Sequence, residues 1–308
     1  MRWHDRVYGE VAVEEPGILE LIACQSFQRL KGVRQAGPSA LAFPFKDVTR
    51  FEHSLGVYLL LRRLGADRRE QVAGLLHDIS HTAFSHAVDF VVWSQEQDHH
   101  EQLKPLMLDR PDLAAALRRL GYSPREFYDD SIYPLLERPL PWLCADRLDY
   151  FLRDGLACGV VAPEAAGCIL GHLAVRDRWI VFTDIAVARQ AVALFAAMNR
   201  DWWAGPTEAF IYNEFADALH EGMRLGVLHL DDLLSDDDHV LAQLEAAGSP
   251  LIAAKLDAIR HFRPESLNGY RPRVVPKERW LDPPVQTGQS FEQLSVLDAG
   301  ARPGSNAD

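Results

Sequence analysis

Apolar residues recur at helical spacing through most of the first 262 positions of the chain. Pro16 opens an amphipathic stretch from Ile18 to Val33, with apolar side chains at 18, 19, 22, 27 and 30. The spacing predicts helices over 53–64 and 68–79, the second interrupted only by Gly74. A third is predicted over 85–93, with Ser85 as its N-cap and His86 and Asp89 on one face. Asp98 with Glu101 resembles a capping box, which puts His99 and His100 in the first turn of the next helix. Prolines and glycines then cut residues 101–142 into short helical pieces. Longer helices are predicted over 142–155, 185–203 and 207–225, the last two parted by Gly205-Pro206, with one or two more over 240–262. Two β-prone runs stand apart: Val7, Val11 and Val13 around Gly9, and Trp179 to Thr183. The expected fold is all-α, a helical bundle with additional helices and one or two small β-hairpins.

After Pro264 the periodicity fades while proline and glycine rise. Residues 1–262 therefore read as the folded unit, and 263–308 as an extended C-terminal segment, mobile after about 283. Composition changes this picture little. Hydrophobic residues make up 48% and charged residues 25% of 308, ordinary for a globular chain with a sizeable core. A formal charge of -12 argues against a broad nucleic-acid surface. No apolar run approaches a membrane span, and nothing at the N-terminus has signal-peptide character. Cys24, Cys144, Cys158 and Cys168 form no C-x-x-C pair, so neither a disulfide framework nor a thiolate zinc site is suggested. A cytoplasmic location is the expectation.

The chemistry concentrates between Arg50 and His100. Six of the twelve histidines fall there: His53, His77, His81, His86, His99 and His100. His77-Asp78 follows the apolar run from Val72 to Leu76, so helical periodicity carries both side chains inward. A buried carboxylate needs a cation or hydrogen-bond donors, and a divalent metal would serve both residues at once.

An ordered series of short motifs joins these residues. Phe27-Gln28-Arg29-Leu30 comes first, then Arg50-Phe51-Glu52-His53-Ser54-Leu55-Gly56-Val57, then His77-Asp78-Ile79-Ser80-His81. Phe84-Ser85-His86, His100-Glu101-Gln102 and the run from Asp146 to Asp154 complete it. Over roughly residues 5–220 the chain resembles the HD-domain metal-dependent phosphohydrolases, and within them the deoxynucleoside triphosphate triphosphohydrolase branch. The resemblance implies an HD-domain core at about 50–155. It implies one divalent transition-metal ion (Fe, Mn, Co, Ni or Zn) on His53, His77, Asp78 and Asp146, with an additional Mg expected only alongside the nucleotide. Such a metal would polarise a phosphoryl oxygen and acidify a bound water.

By the same resemblance, His100 paired with Asp89 would be the general acid, with His99 as the alternative, and His81 and His86 would line the phosphate path. Arg50, Arg147 and Arg200 are the candidate cations. Gln28 would approach the sugar, Tyr150 would stack near it, and Asp154 would hold its hydroxyl. Arg147 stands where the family commonly has lysine, and Glu208-Ala209-Phe210 departs from the residues expected near the base. Three readings stay open: a dNTP triphosphohydrolase, a nucleoside monophosphatase or phosphodiesterase on the same metal site, and a non-catalytic nucleotide-binding scaffold. A nucleotide is the expected partner, nucleic acid and membrane are not, and a homo-oligomer is compatible with the resemblance.

Overall fold

The computed structural model describes residues 1–91 and 99–298 of the chain, without the side chains of residues 99–101. The chain opens with a hairpin of β1 (Arg2–Asp5) and β2 (Gly9–Ala12), where Gly9 supplies the left-handed backbone of the turn. The α-helices of five or more residues among the described residues follow. They are α1 (Pro16–Ala23), α2 (Arg50–Arg63), α3 (Arg68–Leu76), α4 (Ala87–Val91), α5 (His99–Leu108), α6 (Pro111–Arg119), α7 (Ala145–Ala157), α8 (Pro163–Gly171), α9 (Ile185–Met198), α10 (Pro206–Arg224), α11 (Asp237–Ala246) and α12 (Pro250–Arg260). The fold is all-α with small β elements, as the apolar spacing predicts.

Two apolar clusters form the core. One gathers α1, α2, α3, α7 and α9 around Phe27, Leu60, Leu76, Phe151 and Phe195. The other packs α4 and α12 on α10 around Phe90, Phe215 and Ile259. Helix α2 is the scaffold of the first cluster, packing against both α3 and α7. Gly56 makes the α2–α7 approach close enough. A Cβ there would lie 2.1 Å from both Arg153 Nη2 and Asp149 Oδ2, two side chains of α7.

Three expectations need correction. Ser85 does not cap a helix: Phe84 and Ser85 have φ of 58° and 53°, and α4 starts only at Ala87. The turn is held because Phe84 N–H donates to Asp237 Oδ1 at 2.6 Å and the Ser85 hydroxyl donates to Arg34 O at 2.6 Å. The helix predicted over 185–203 changes to a π-helical turn at Asn199–Trp203, just before Gly205-Pro206 ends it. The C-terminal segment is not an unpaired tail after 283. β5 (Pro284–Thr287) and β6 (Ser290–Gln293) form a hairpin, and Phe182 of the predicted 179–183 run pairs with Val285. With β3 (Leu173–Arg176) and β4 (Trp179–Phe182) they make one four-stranded sheet, order β3-β4-β5-β6. Pro284 escapes detection by pattern because it stands at the first strand position, where a missing N–H is tolerated. Val285 and Leu294 are buried.

Candidate metal centre

The centre is built where α2, α3 and α7 meet. Thr49 and Glu52 form a capping box that fixes the first turn of α2, and that turn points Arg50 and His53 inward three residues apart. His77 is the C-cap of α3, so the chain leaves the helix there and His77 and Asp78 both face the junction. Asp146 is the second residue of α7. These placements bring together groups that are up to 93 residues apart in sequence.

The convergence is tight. His53 Nε2 lies 3.1 Å from His77 Nε2 and 2.9 Å from Asp146 Oδ1, and His77 Nε2 lies 3.3 Å from the same oxygen. Asp78 presents Oδ1 at 3.4 Å to His77 Nε2 and Oδ2 at 3.8 Å to His53 Nε2. The far side of each ring fixes its tautomer. His53 Nδ1 faces Asp149 Oδ1 at 2.8 Å, and His77 Nδ1 faces Gly74 O at 2.8 Å. Both partners accept hydrogen bonds, which assigns each Nδ1 a proton and leaves the Nε2 lone pairs directed at one another. Two lone pairs and two carboxylates in one place call for a cation. The donor set fits a divalent metal with mixed nitrogen and oxygen ligands.

Without a metal, a proton takes the cation's place on His53 Nε2 beside Asp146. Burial pushes His53 down, but its hydrogen bonds to Asp146 and Asp149 outweigh that and hold it at about 10. Burial likewise opposes ionisation of Asp78, yet the charges of Arg50, His77 and His81 keep it well below the usual carboxylate range. Arg50 Nη1 donates to Asp78 Oδ2 at 2.8 Å while its Nε donates to the Ser85 hydroxyl at 3.0 Å, so the left-handed turn braces this cation. Asp149 is itself anchored by Arg153, at 2.8 and 3.0 Å, and Tyr8 donates to it at 2.8 Å. Arg153 is fully buried and also donates to Asp5. Asp149 is the functional residue that sequence reasoning passed over. Its signal was the i, i+3 spacing from Asp146 on one helix face.

The centre opens into a cavity of about 1170 Å³. His81 and His86 line it beside the centre, their rings 5.0 Å apart edge to face. His81 Nε2 lies 3.2 Å from Asp78, and His86 Nδ1 lies 3.1 Å from Asp89. His100 and His99, the two expectations for a proton donor, have side chains outside the described residues. Tyr150 and Asp154 follow along the wall. The Tyr150 ring is 6.5 Å from that of His53 and 5.2 Å from that of Trp203, whose Nε1 donates to Asp154 at 3.0 Å. Arg147 lines the cavity, but Nη1 is committed to Trp142 O and Arg138 O.

Two sequence-based expectations do not reach the cavity lining. Gln28 turns back to donate to Ile22 O at 2.6 Å, filling the break between α1 and the next turn, and Gln35 lines the cavity in its place. Arg200 lies on the surface, its side chain 67% exposed, clasped to its neighbour Asp201 at 2.7 and 2.8 Å. Glu137 is a cavity residue that sequence gave no reason to name. Burial, aided by the charge of Asp146, pushes it up to about 7.

Comparison with known proteins agrees with this geometry. The HD domain family model matches residues 50–132. The uncharacterized protein YdhJ of Bacillus subtilis is 39% identical over 84% of this chain and 80% of its own length. The metal-dependent phosphohydrolase cns2 of Cordyceps militaris is 36% identical over 79% of this chain and 70% of its own. The deoxynucleoside triphosphate triphosphohydrolase SAMHD1 of Mus musculus is 28% identical, over 49% of this chain and 31% of its own length. With His53, His77 and Asp146 converging as a candidate metal site, the chain belongs to the HD-domain metal-dependent phosphohydrolases.

Proposed function

We propose that the substrate of this phosphohydrolase is a nucleotide, and that a deoxynucleoside triphosphate is cleaved to deoxynucleoside and triphosphate. The observation that carries the reading is the continuity of the ligand cluster with a cavity of about 1170 Å³. Small-ligand pockets run to roughly 300–1,000 Å³, so a base, a sugar and a phosphate chain fit together here. The walls change character along it: imidazoles and Arg50 beside the centre, then the aromatic faces of Tyr150 and Trp203 with the Asp154 carboxylate among them. That order suits phosphate first and sugar next.

His53, His77, Asp78 and Asp146 would hold a divalent ion, which would supply Lewis acidity toward a phosphoryl oxygen and toward water. The protein residues do the rest. Arg50, oriented by Asp78 and Ser85, places positive charge beside the reacting phosphorus. Water oxygen bonds to the α-phosphorus and gives up a proton to solvent, the bond from phosphorus to the sugar 5′-oxygen breaks, and that oxygen departs with a proton from the general acid. Proton delivery is assigned to His100 acting with Asp89, with His86 on the same carboxylate as the competitor. Asp154 keeps lone pairs for a sugar hydroxyl while Trp203 fixes its orientation.

A nucleoside monophosphate is the second reading. It is favoured by one observation: Gln28 and Arg200 stand away from the cavity lining, which leaves fewer contacts for a triphosphate. A product screen separates the two. Metal-loaded protein is incubated with dNTPs, NTPs and monophosphates, and triphosphate is resolved from orthophosphate. Triphosphate and deoxynucleoside in equal amounts are expected; orthophosphate released from monophosphates alone moves the assignment to the second reading.

A further inference from the structure

The segment after Pro264 supplies part of the cavity lining, and its anchoring explains how. Asn213 of α10 is 1% exposed. Its side chain donates to Val274 O at 2.7 Å and accepts from the N–H groups of Arg273 and Val274 at 3.1 and 3.2 Å. Further along, Arg279 N–H donates to Asn199 Oδ1 at 2.9 Å. Asp282 N–H donates to Pro141 O at 3.0 Å, and its carboxylate accepts from Ser295. Val274 and Leu281 are buried. The strap is thus fixed at both ends and in its middle, and Pro276, Lys277 and Arg279 form part of the cavity lining.

The charges along that lining are not equivalent. Lys46 is paired with buried Glu208, Arg50 with Asp78, Lys104 with Asp130 and Arg147 with Glu137. Arg138 stacks on Trp179 at 3.5 Å and donates to Arg178 O. Among the described residues, Lys277 and Arg279 are the lining cations with neither a carboxylate nor an aromatic partner. Arg279 spends one N–H on Lys277 O at 2.9 Å, which orients the guanidinium and leaves donors over. It is within electrostatic reach of His86, Tyr150 and Tyr212, all on the cavity wall. A cation already paired with a carboxylate, as Arg50 is, keeps fewer donors for a second anion; an uncommitted pair on an anchored backbone gives it charge and a donor fork at small ordering cost.

We propose that Lys277 and Arg279 are the phosphate-chain subsite of this enzyme, in the role that the sequence assigned to Arg200. The inference rests on the nucleotide reading above and adds which residues grip the phosphates. Surface-bound Arg200, clasped by Asp201, takes no part.

The test is equilibrium binding to metal-loaded protein, comparing magnesium tripolyphosphate with a deoxynucleoside. The wild type, the double variant Lys277→Gln/Arg279→Gln and Arg200→Gln are measured, with melting temperature as the check on folding. The double variant is expected to bind tripolyphosphate roughly ten- to hundredfold more weakly, with a shallower salt dependence, and the deoxynucleoside within about twofold of wild type. Arg200→Gln is expected to match wild type for both. Wild-type tripolyphosphate affinity in the double variant, or an equal loss for the deoxynucleoside, overturns the subsite. So does absence of tripolyphosphate binding by the wild type. Binding that depends on Lys277 and Arg279 supports the subsite even if the product screen finds no nucleotide cleaved. Nucleotide cleavage beside unchanged tripolyphosphate affinity overturns the subsite and leaves the nucleotide reading standing.

Discussion

His53 Nδ1 stands 2.8 Å from Asp149 Oδ1, so the ring whose Nε2 faces the candidate metal centre is held from behind by a fully buried carboxylate. A partner of this kind fixes the tautomer and strengthens the ligand. Asp149→Asn keeps the shape but weakens that grip, and about 10- to 100-fold lower metal affinity is expected. Competition against a chelator measures it. Unchanged affinity would show that His53 needs no orienting partner.

Gly56 sits where any side chain would strike the Asp149–Arg153 pair. Both groups are fully buried and locked in hydrogen bonds, so neither yields easily. Gly56→Ala is expected to cost about 1–3 kcal/mol as overpacking. At roughly 2–4 °C per kcal/mol for a chain of this size, the melting temperature falls by several degrees, and metal affinity falls with it. A variant as stable as wild type would contradict the close approach of α2 and α7.

The pH dependence of metal-stripped protein follows from His53. Its pKa in the folded chain is raised to about 10 from an ordinary 6.5. A raised pKa means that the protonated form stabilises the fold: that contribution is complete below about 6.5 and is lost as pH climbs through 10. The melting temperature of stripped protein should therefore decline across that window more steeply than that of His53→Gln. Parallel curves for the two proteins would refute it. Metal loading needs the neutral ring and should release protons near neutrality.

The helices were legible because each is written in local spacing, as in the apolar run before His77 and the periodic stretch that Asp146 opens, whereas the Thr49–Glu52 capping box before His53 was passed over. Asp149 was not legible, since its partners Tyr8 and Arg153's second partner Asp5 lie more than 140 residues away. Lys277 and Arg279 were hidden for a related reason. Their strap has no ladder or period of its own and is held through distant partners, Asn213, Asn199 and Pro141. Gln28 and Arg200 carried the right motif neighbours, but local hydrogen bonds to Ile22 and Asp201 claim their side chains.

The C-terminal hairpin gives a prediction opposite to the one its proline-rich sequence suggests. Ending the chain at Pro283 removes β5 and β6 and with them buried Val285 and Leu294. Burying such a side chain contributes about 1.5–3 kcal/mol, so truncation should lower the melting temperature by several degrees. An unchanged melting temperature would mean that the sheet ends at β4.

The central claim is that His53, His77, Asp78 and Asp146 hold a divalent metal, and elemental analysis of purified protein tests it most directly. Wild type is expected to carry about one transition-metal ion per chain and the double variant His77→Ala/Asp78→Ala almost none, since structural and catalytic sites of this ligand count do not survive loss of half their donors. A full equivalent of metal retained by the double variant would contradict the account.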